Sequence, residues 1–279
     1  MRRRTIEWQV CGTCNYDCSY CIQSRRSRTG HPTEGEVDQF LRFFAELPGS
    51  WEIKMSGGEP FAFKAFVGRI VPGLVERTTH DLSVLTNLSA PASVLDRFAE
   101  LTLGRLRIVS ASLHLEYTSA EDFAEKASRL ASRIGEASLV CNVVLVPGRL
   151  EEVARAKATL EGRGLRFFPQ IMKTKHATVD YDDDDRRRLL PLLGDRPTPR
   201  TANLAPSYRG RRCWSGVDYF VLSQTGDAFR CRTAKRFGEG FLGNVLSGGV
   251  TLWERPTTCS YEICPCTVPA NRGMIEGVA

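Results

Sequence analysis

Apolar and polar positions follow two rhythms along this 279-residue chain. Short apolar runs of strand length are separated by stretches in which apolar residues recur every three or four positions. That order predicts parallel strands joined by crossover helices. Six runs read as strands: Thr5 to Val10, Trp51 to Met55, Leu82 to Thr86, Leu106 to Ser112, Ala137 to Val146 and Leu165 to Ile171. Thr33 and Glu36 form a capping box, after which Val37, Phe40, Leu41, Phe44 and Leu47 make one helical stripe. Phe123, Ala127, Leu130, Ala131 and Ile134 repeat the spacing, and Leu150 to Leu160 does so more weakly. These stripes read as core.

After Lys173 the pattern gives way to a polar connector punctuated by Pro191, Pro197, Pro199 and Pro206. Within it the tract from Asp182 to Arg188 reads as a solvated helix start. Asp218 to Ser223 and Asp227 to Arg232, joined across Gln224-Thr225-Gly226, predict a hairpin that opens a second, smaller unit. The expected division is a main domain over 1–176, a linker over 177–212 and a C-terminal unit over 213–279.

Composition adds limits. With 42% hydrophobic and 25% charged residues the chain is globular. Its net charge of +6 suits a nucleic acid, a phosphorylated substrate or an acidic electron donor without choosing among them. Arg25, Arg26 and Arg28 read as a solvated rim. No run reaches the roughly 18 apolar residues of a membrane span. The segment after Met1-Arg2-Arg3-Arg4 is too short and polar for an export signal. The expectation is a soluble, cytoplasmic protein without a membrane partner. With no RNA-binding motif and no base-stacking aromatic stripe, no nucleic-acid partner is expected either.

Ten cysteines carry the chemistry. Clustered cysteines in a reducing compartment read as metal or redox centres before disulfides. Cys14, Cys18 and Cys21 follow the first strand, which puts them at the C-terminal mouth of the sheet, where barrel enzymes place their chemistry. Three thiolates suit a 4Fe-4S cluster with one iron left for a nitrogen and oxygen chelate. Two alternatives stay open: Cys11 and Cys14 with Cys18 and Cys21 as paired zinc ligands, or Cys11 as a fourth cluster ligand. Cys213, Cys231, Cys259, Cys264 and Cys266 imply a second metal centre, with a structural zinc knuckle as the alternative.

The run Cys14-Asn15-Tyr16-Asp17-Cys18-Ser19-Tyr20-Cys21, followed by Gly57-Gly58-Glu59-Pro60 at the end of the second strand, resembles the radical S-adenosylmethionine (SAM) superfamily. The resemblance implies an α/β fold, a partial (β/α)6 TIM-like barrel with a small C-terminal iron–sulfur extension. It implies that Tyr20, Gly57, Gly58, Glu59 and Pro60 help to bind SAM, with Glu59 accepting from the SAM ammonium. Thr86-Asn87, Ser112, Asn142 and Gln170 match polar positions that contact ribose, carboxylate or substrate; each could equally anchor a loop. His114 and Glu116 could face substrate or cap the next helix.

Cys213, Gly226 and Cys231, with Gly243-Asn244-Val245, resemble the SPASM and twitch auxiliary domains of that superfamily. A SPASM tail carries further cysteines and two extra clusters, so the shorter twitch form with one auxiliary 4Fe-4S cluster is the expectation. Its ligands would be Cys213 and Cys231 with a choice among Cys259, Cys264 and Cys266, leaving one thiol spare. The chemistry implied is reductive cleavage of SAM to a 5′-deoxyadenosyl radical that takes hydrogen from an unactivated C–H bond, with flavodoxin or ferredoxin as reductant. An electron passed to the auxiliary cluster would make a dehydrogenase. Hydrogen returned by one of Cys259, Cys264 or Cys266 would make an epimerase. The expected partner is a small-molecule substrate: an aminoglycoside, sugar or nucleoside intermediate of antibiotic or other natural-product biosynthesis. The alternatives are a maturase of a ribosomally made peptide and, in another class, an iron–sulfur electron-transfer or binding protein.

Overall fold

The computed structural model describes residues 2–23 and 28–278. Six parallel strands stand side by side in chain order: β1 (Thr5–Cys11), β2 (Glu52–Gly57), β3 (Asp81–Thr86), β4 (Leu106–Leu113), β5 (Ser138–Leu145) and β6 (Arg166–Ile171). Between them run α1 (Glu34–Glu46), α2 (Val71–Arg77), α3 (Ala92–Thr102), α4 (Ala120–Ala131) and α5 (Leu150–Gly162). This α/β fold is a partial TIM-like barrel, and all six expected strands are present within a few residues of their expected ends.

The strands have two unlike faces, which explains their sequence rhythm. Ile6, Trp8 and Val10 of β1, Ile53 and Met55 of β2, and Val109 and Ala111 of β4 are fully buried in the main apolar core. Trp8 meets Phe40 and Phe44 of α1 at ring-centroid distances of 5.0 Å each. Burying each such side chain contributes about 1.5–3 kcal/mol. The alternate positions Glu7, Lys54, Ser110, Asn142 and Gln170 face a cavity inside the barrel. Helix α1 begins where the capping box places it: the Thr33 hydroxyl accepts from the Glu36 N–H at 3.3 Å, and Glu36 accepts from the Thr33 N–H at 2.7 Å. Helices α2 and α3 have no capping hydrogen bond from a side chain, and the sequence pattern gives neither a clear start.

The connector is more ordered than its composition suggests. It contains α6 (Asp183–Leu193), capped by Asp182, so the tract is a helix start as expected. One of its acids turns inward: Asp185 is 5% exposed and accepts from the Gly148 N–H at 3.0 Å. The Tyr181 hydroxyl donates to the Leu145 carbonyl at 2.5 Å, tying the same segment to β5.

The C-terminal part comprises β7 (Arg212–Cys213), β8 (Tyr219–Leu222), β9 (Asp227–Phe229), α7 (Arg232–Phe237), β10 (Phe241–Asn244), β11 (Gly249–Val250), β12 (Thr257–Thr258) and α8 (Val268–Asn271). Strands β8 and β9 form the expected hairpin, with Gly226 at φ +85°. The second strand ends three residues early, because the Cys231 sulfur accepts from the Ala234 N–H at 3.3 Å and starts α7. This part is not a separate layer. Strand β8 pairs parallel with β1 from Thr5↔Tyr219 to Trp8↔Leu222, giving one sheet of ten strands. The pairing satisfies the N–H and C=O row that an edge β1 would expose. Arg272, after α8, donates to Glu52 of β2 at 2.6 and 2.7 Å, and Glu52 is fully buried. Among the described residues no helix is long and apolar enough to cross a membrane.

Candidate active site

The barrel encloses a cavity of about 310 Å³ at the C-terminal ends of its strands. Cys14, Cys18 and Cys21 line it together with Tyr20, Gly57, Gly58, Glu59, Asn87, Ser112, Asn142 and Gln170. The sequence therefore picked out residues from six strand ends that the fold brings to one chamber. Pro60 does not line it; this proline is buried and begins a 3-10 turn over Pro60–Ala62.

The cysteine loop is held from two sides. The Ser19 N–H and hydroxyl donate to Glu116 at 2.9 and 2.5 Å, and the Asp17 N–H donates to the Tyr117 hydroxyl at 2.8 Å. Tyr16 stacks on Tyr117 with centroids 4.2 Å apart. His114 Nδ1 stands 2.9 Å from the Tyr20 hydroxyl and 3.3 Å from Cys18 Sγ. Burial pushes His114 down to about 4, so the imidazole is neutral near pH 7. His114 and Glu116 thus brace the loop, and the following helix is capped by Ser119 instead. Arg28 is not the solvated rim residue expected: its side chain is 12% exposed, lines the chamber and pairs with Asp17 at 2.6 Å, while Arg25 and Arg26 lie outside the described residues.

The Gly57-Gly58 pair faces the loop backbone. A Cβ on Gly57 would stand 2.6 Å from the Cys11 carbonyl oxygen, and one on Gly58 would overlap the Thr13 carbonyl. The Gly58 and Glu59 N–H groups donate there at 3.0 and 2.8 Å. Glycine is required because two backbones cross in contact. The Glu59 carboxylate, 1% exposed, accepts from the Thr86 hydroxyl and the Asn87 N–H at 2.7 Å each and from the Phe61 N–H at 3.2 Å. Burial raises it to about 7 against those bonds. The Asn87 amide reaches Asn15 at 3.0 Å, which ties β3 to the loop.

Cys11 lies apart from the other three thiols. It is fully buried, does not line the cavity, and approaches the carbonyls of Thr13 and Glu59 at 3.6 and 3.5 Å. Both alternatives that needed Cys11 as a ligand are disfavoured by this orientation.

Sequence reading missed the charged floor. Glu7, Lys54, Lys173, Arg232 and Arg236 all line the chamber. Glu7 is 2% exposed and accepts from Arg232 and, at 2.9 Å, from the Cys266 thiol. Burial alone would raise Glu7, but Arg232, Cys266 and Lys54 outweigh it and hold it below the usual range. Lys54, the cross-strand partner of Glu7, donates to Ser110 at 3.2 Å. Burial pushes Lys173 down to about 8. A usable signal existed: Glu7 and Lys54 are charges in the middle of apolar strands, which only an inward-facing polar position tolerates.

The second cysteine group gathers around a small pocket bounded by β7, α7 and the 259–266 segment, with Cys213, Cys231, Cys259, Cys264 and Cys266 on its wall. Of the five, Cys266 alone also faces the barrel chamber. Burial, then the neighbouring thiols Cys266, Cys231, Cys213 and Cys259, push the Cys264 thiol well above its ordinary value. Such crowding of potential thiolates calls for positive charge among them. All ten cysteines are free. Among the described residues no three His, Cys, Asp or Glu side chains converge tightly enough to hold one metal ion. A four-iron cube takes about one thiolate per iron, so its ligands stand around it rather than on one point.

Residues 8–121 match the family model described as the Radical SAM superfamily. No curated protein matches. Among solved structures, SuiB of Streptococcus suis bound to its precursor peptide SuiA is similar at 15% identity and a TM-score of 0.66. The alignment covers 88% of this chain and 63% of that one. The chain thus spans less than two thirds of the SuiB length. The structure of anSMEcpe with bound AdoMet is similar at 13% identity and a TM-score of 0.60, over 88% of this chain and 78% of that one. At these identities the likeness is one of fold.

Proposed function

We propose that the protein is a radical SAM enzyme acting on a small polar molecule, with epimerisation as the favoured outcome and dehydrogenation as the other. The observation that supports this most is the meeting of Cys14, Cys18 and Cys21 with Gly57, Gly58 and the strand-end polar groups in one chamber, inside the matched domain. The three thiols would hold a 4Fe-4S cluster, and Asn87, Ser112, Asn142 and Gln170 would orient SAM and substrate. When bound, that cluster and SAM supply a 5′-deoxyadenosyl radical able to take hydrogen from a C–H bond. Glu59, through its backbone N–H, and His114 fix the loop that carries the thiols.

Cys213, Cys231, Cys259 and Cys264 suit one auxiliary cluster, because they face the small pocket and not the chamber. Cys266 is then the spare thiol and the candidate hydrogen donor. It would give its S–H hydrogen to a carbon-centred substrate radical. The sulfur radical left behind takes one electron from a flavodoxin- or ferredoxin-class donor and one proton from water. Glu7 orients the thiol by accepting its hydrogen bond. SuiB, similar in fold, was solved with a precursor peptide bound, which keeps a peptide substrate as the second reading.

The test is anaerobic reconstitution, reduction and incubation with SAM. Release of methionine and 5′-deoxyadenosine that Cys18→Ala abolishes is the expected result; absence of iron, or of any SAM cleavage, overturns the reading. With a substrate in hand, heavy water separates the outcomes. One deuterium at one carbon, lost in Cys266→Ala, indicates epimerisation, and oxidised product without exchange indicates dehydrogenation.

A further inference from the structure

The chamber is charged unevenly, and the imbalance bears on what it takes. Its cationic side chains are Arg28, Lys54, Lys173, Arg232 and Arg236, against the carboxylates Glu7 and Glu59. Glu59 is fully engaged at the end of β3 by Thr86, Asn87 and Phe61. Glu7 answers Arg232, and Lys54 stands beside it with Ser110 as its hydrogen-bond partner. Arg28 has Asp17.

Two cations are left. Lys173 is 8% exposed, lines the chamber, and its ammonium has no hydrogen bond or ion pair among the described residues. Arg236 gives one N–H to the Lys175 carbonyl at 2.9 Å and meets no carboxylate among the described residues. A buried ammonium without a partner is costly, and a second cation nearby adds to the cost. Such a pair is retained where a ligand completes it. The two approach from different elements, the segment just after β6 and helix α7; Lys173 lies close enough to Arg236 to feel its charge, and both lie close enough to Cys266 to feel its thiolate.

We infer that the substrate carries an oxyanion, a carboxylate or a phosphate, which Lys173 and Arg236 receive beside Cys266. This deepens the proposed function and rests on it. The ammonium serves as a point charge and the guanidinium as a directional donor, so together they fix both the position and the tilt of the anionic end. A polyamine sugar would bring like charge to like. An acidic sugar, a sugar phosphate or a nucleotide meets the site. Its anionic end then anchors the molecule near the thiol, which decides the carbon that faces Cys266.

The experiment is calorimetric titration of the reconstituted protein with inorganic phosphate, glycolate and spermidine, for native, Lys173→Met, Lys173→Arg and Arg236→Gln proteins. Iron content and SAM binding are measured on the same preparations. The expected result is binding of an oxyanion that weakens about tenfold or more in Lys173→Met and in Arg236→Gln, while Lys173→Arg retains it. Phosphate binding more tightly than glycolate assigns the anion as phosphate, and the reverse as carboxylate. The inference is overturned if neither oxyanion binds, if Lys173→Met binds it unchanged, or if spermidine competes for the same place. It is also overturned if Lys173→Met loses iron rather than anion binding, since Lys173 would then serve the cysteines. Loss of iron and SAM binding in the native protein would instead defeat the radical SAM reading, whatever the anion result.

Discussion

The two cysteine groups are built on opposite plans. Cys14, Cys18 and Cys21 sit within eight residues on a loop, with Cys21 exposed, and the loop is held by side chains reaching from other strand ends. Cys213, Cys231, Cys259 and Cys264 come from three separate pieces of chain and wall one small pocket, with Cys213 buried, the others half-buried and the Ala234 N–H aimed at Cys231. The first plan leaves one side open to a small molecule, as a reactive centre needs. The second closes on itself, which suits a centre that stores charge or braces the structure. The first group is therefore expected to be removable without loss of the fold, and the second is not.

The cysteines themselves give the largest test. Changing Cys14, Cys18 and Cys21 to alanine together lowers reconstituted iron from about eight to about four per chain with little change in thermal unfolding. Changing Cys213 and Cys231 also removes about four irons, but lowers the midpoint by several degrees, about 2–4 °C for each kcal/mol lost. Equal midpoints in the two variants would remove the distinction. Next is Glu52→Ala, which leaves Arg272 buried without its carboxylate and costs about 3–5 kcal/mol in denaturant unfolding. It strikes the junction between barrel and tail, so iron retention falls at the second group first.

Gly58→Ala is smaller and opposite in address. Its Cβ overlaps the Thr13 carbonyl, and overpacking of this kind costs about 1–3 kcal/mol. Iron is lost faster to a chelator from the first group alone. The smallest effect is Thr33→Ala, which removes the α1 cap for about 1 kcal/mol and leaves iron content unchanged. A measurable iron loss there would mean that both centres respond to global stability rather than to their own surroundings.

What could be read from the chain divides along physical lines. Local rules succeeded: strand rhythm, the Thr33 capping box and the Gly226 turn all depend on neighbours in sequence. The pairing of β8 with β1 could not be read, because Thr5 to Trp8 carry no mark of which strand lies beside them. Cys11 could be read as a packed strand-end thiol, and it is one: it closes β1, fully buried, with its sulfur against the Thr13 and Glu59 carbonyls. The charged floor was missed because Glu7 and Arg232 are 225 residues apart and meet only after the hairpin docks. The change in composition after Lys173 is real, but it carries no sign that the sheet continues beyond it.

The docking of β8 on β1 also sets an order of events during synthesis. Arg4 and Asp218, 214 residues apart, face each other across that seam. Strand β1 leaves the ribosome about 214 residues before the segment that covers its second edge. Contacts of such separation are slow to form. Throughout that interval the thiols beside β1 stand on a half-built scaffold, open to oxidation.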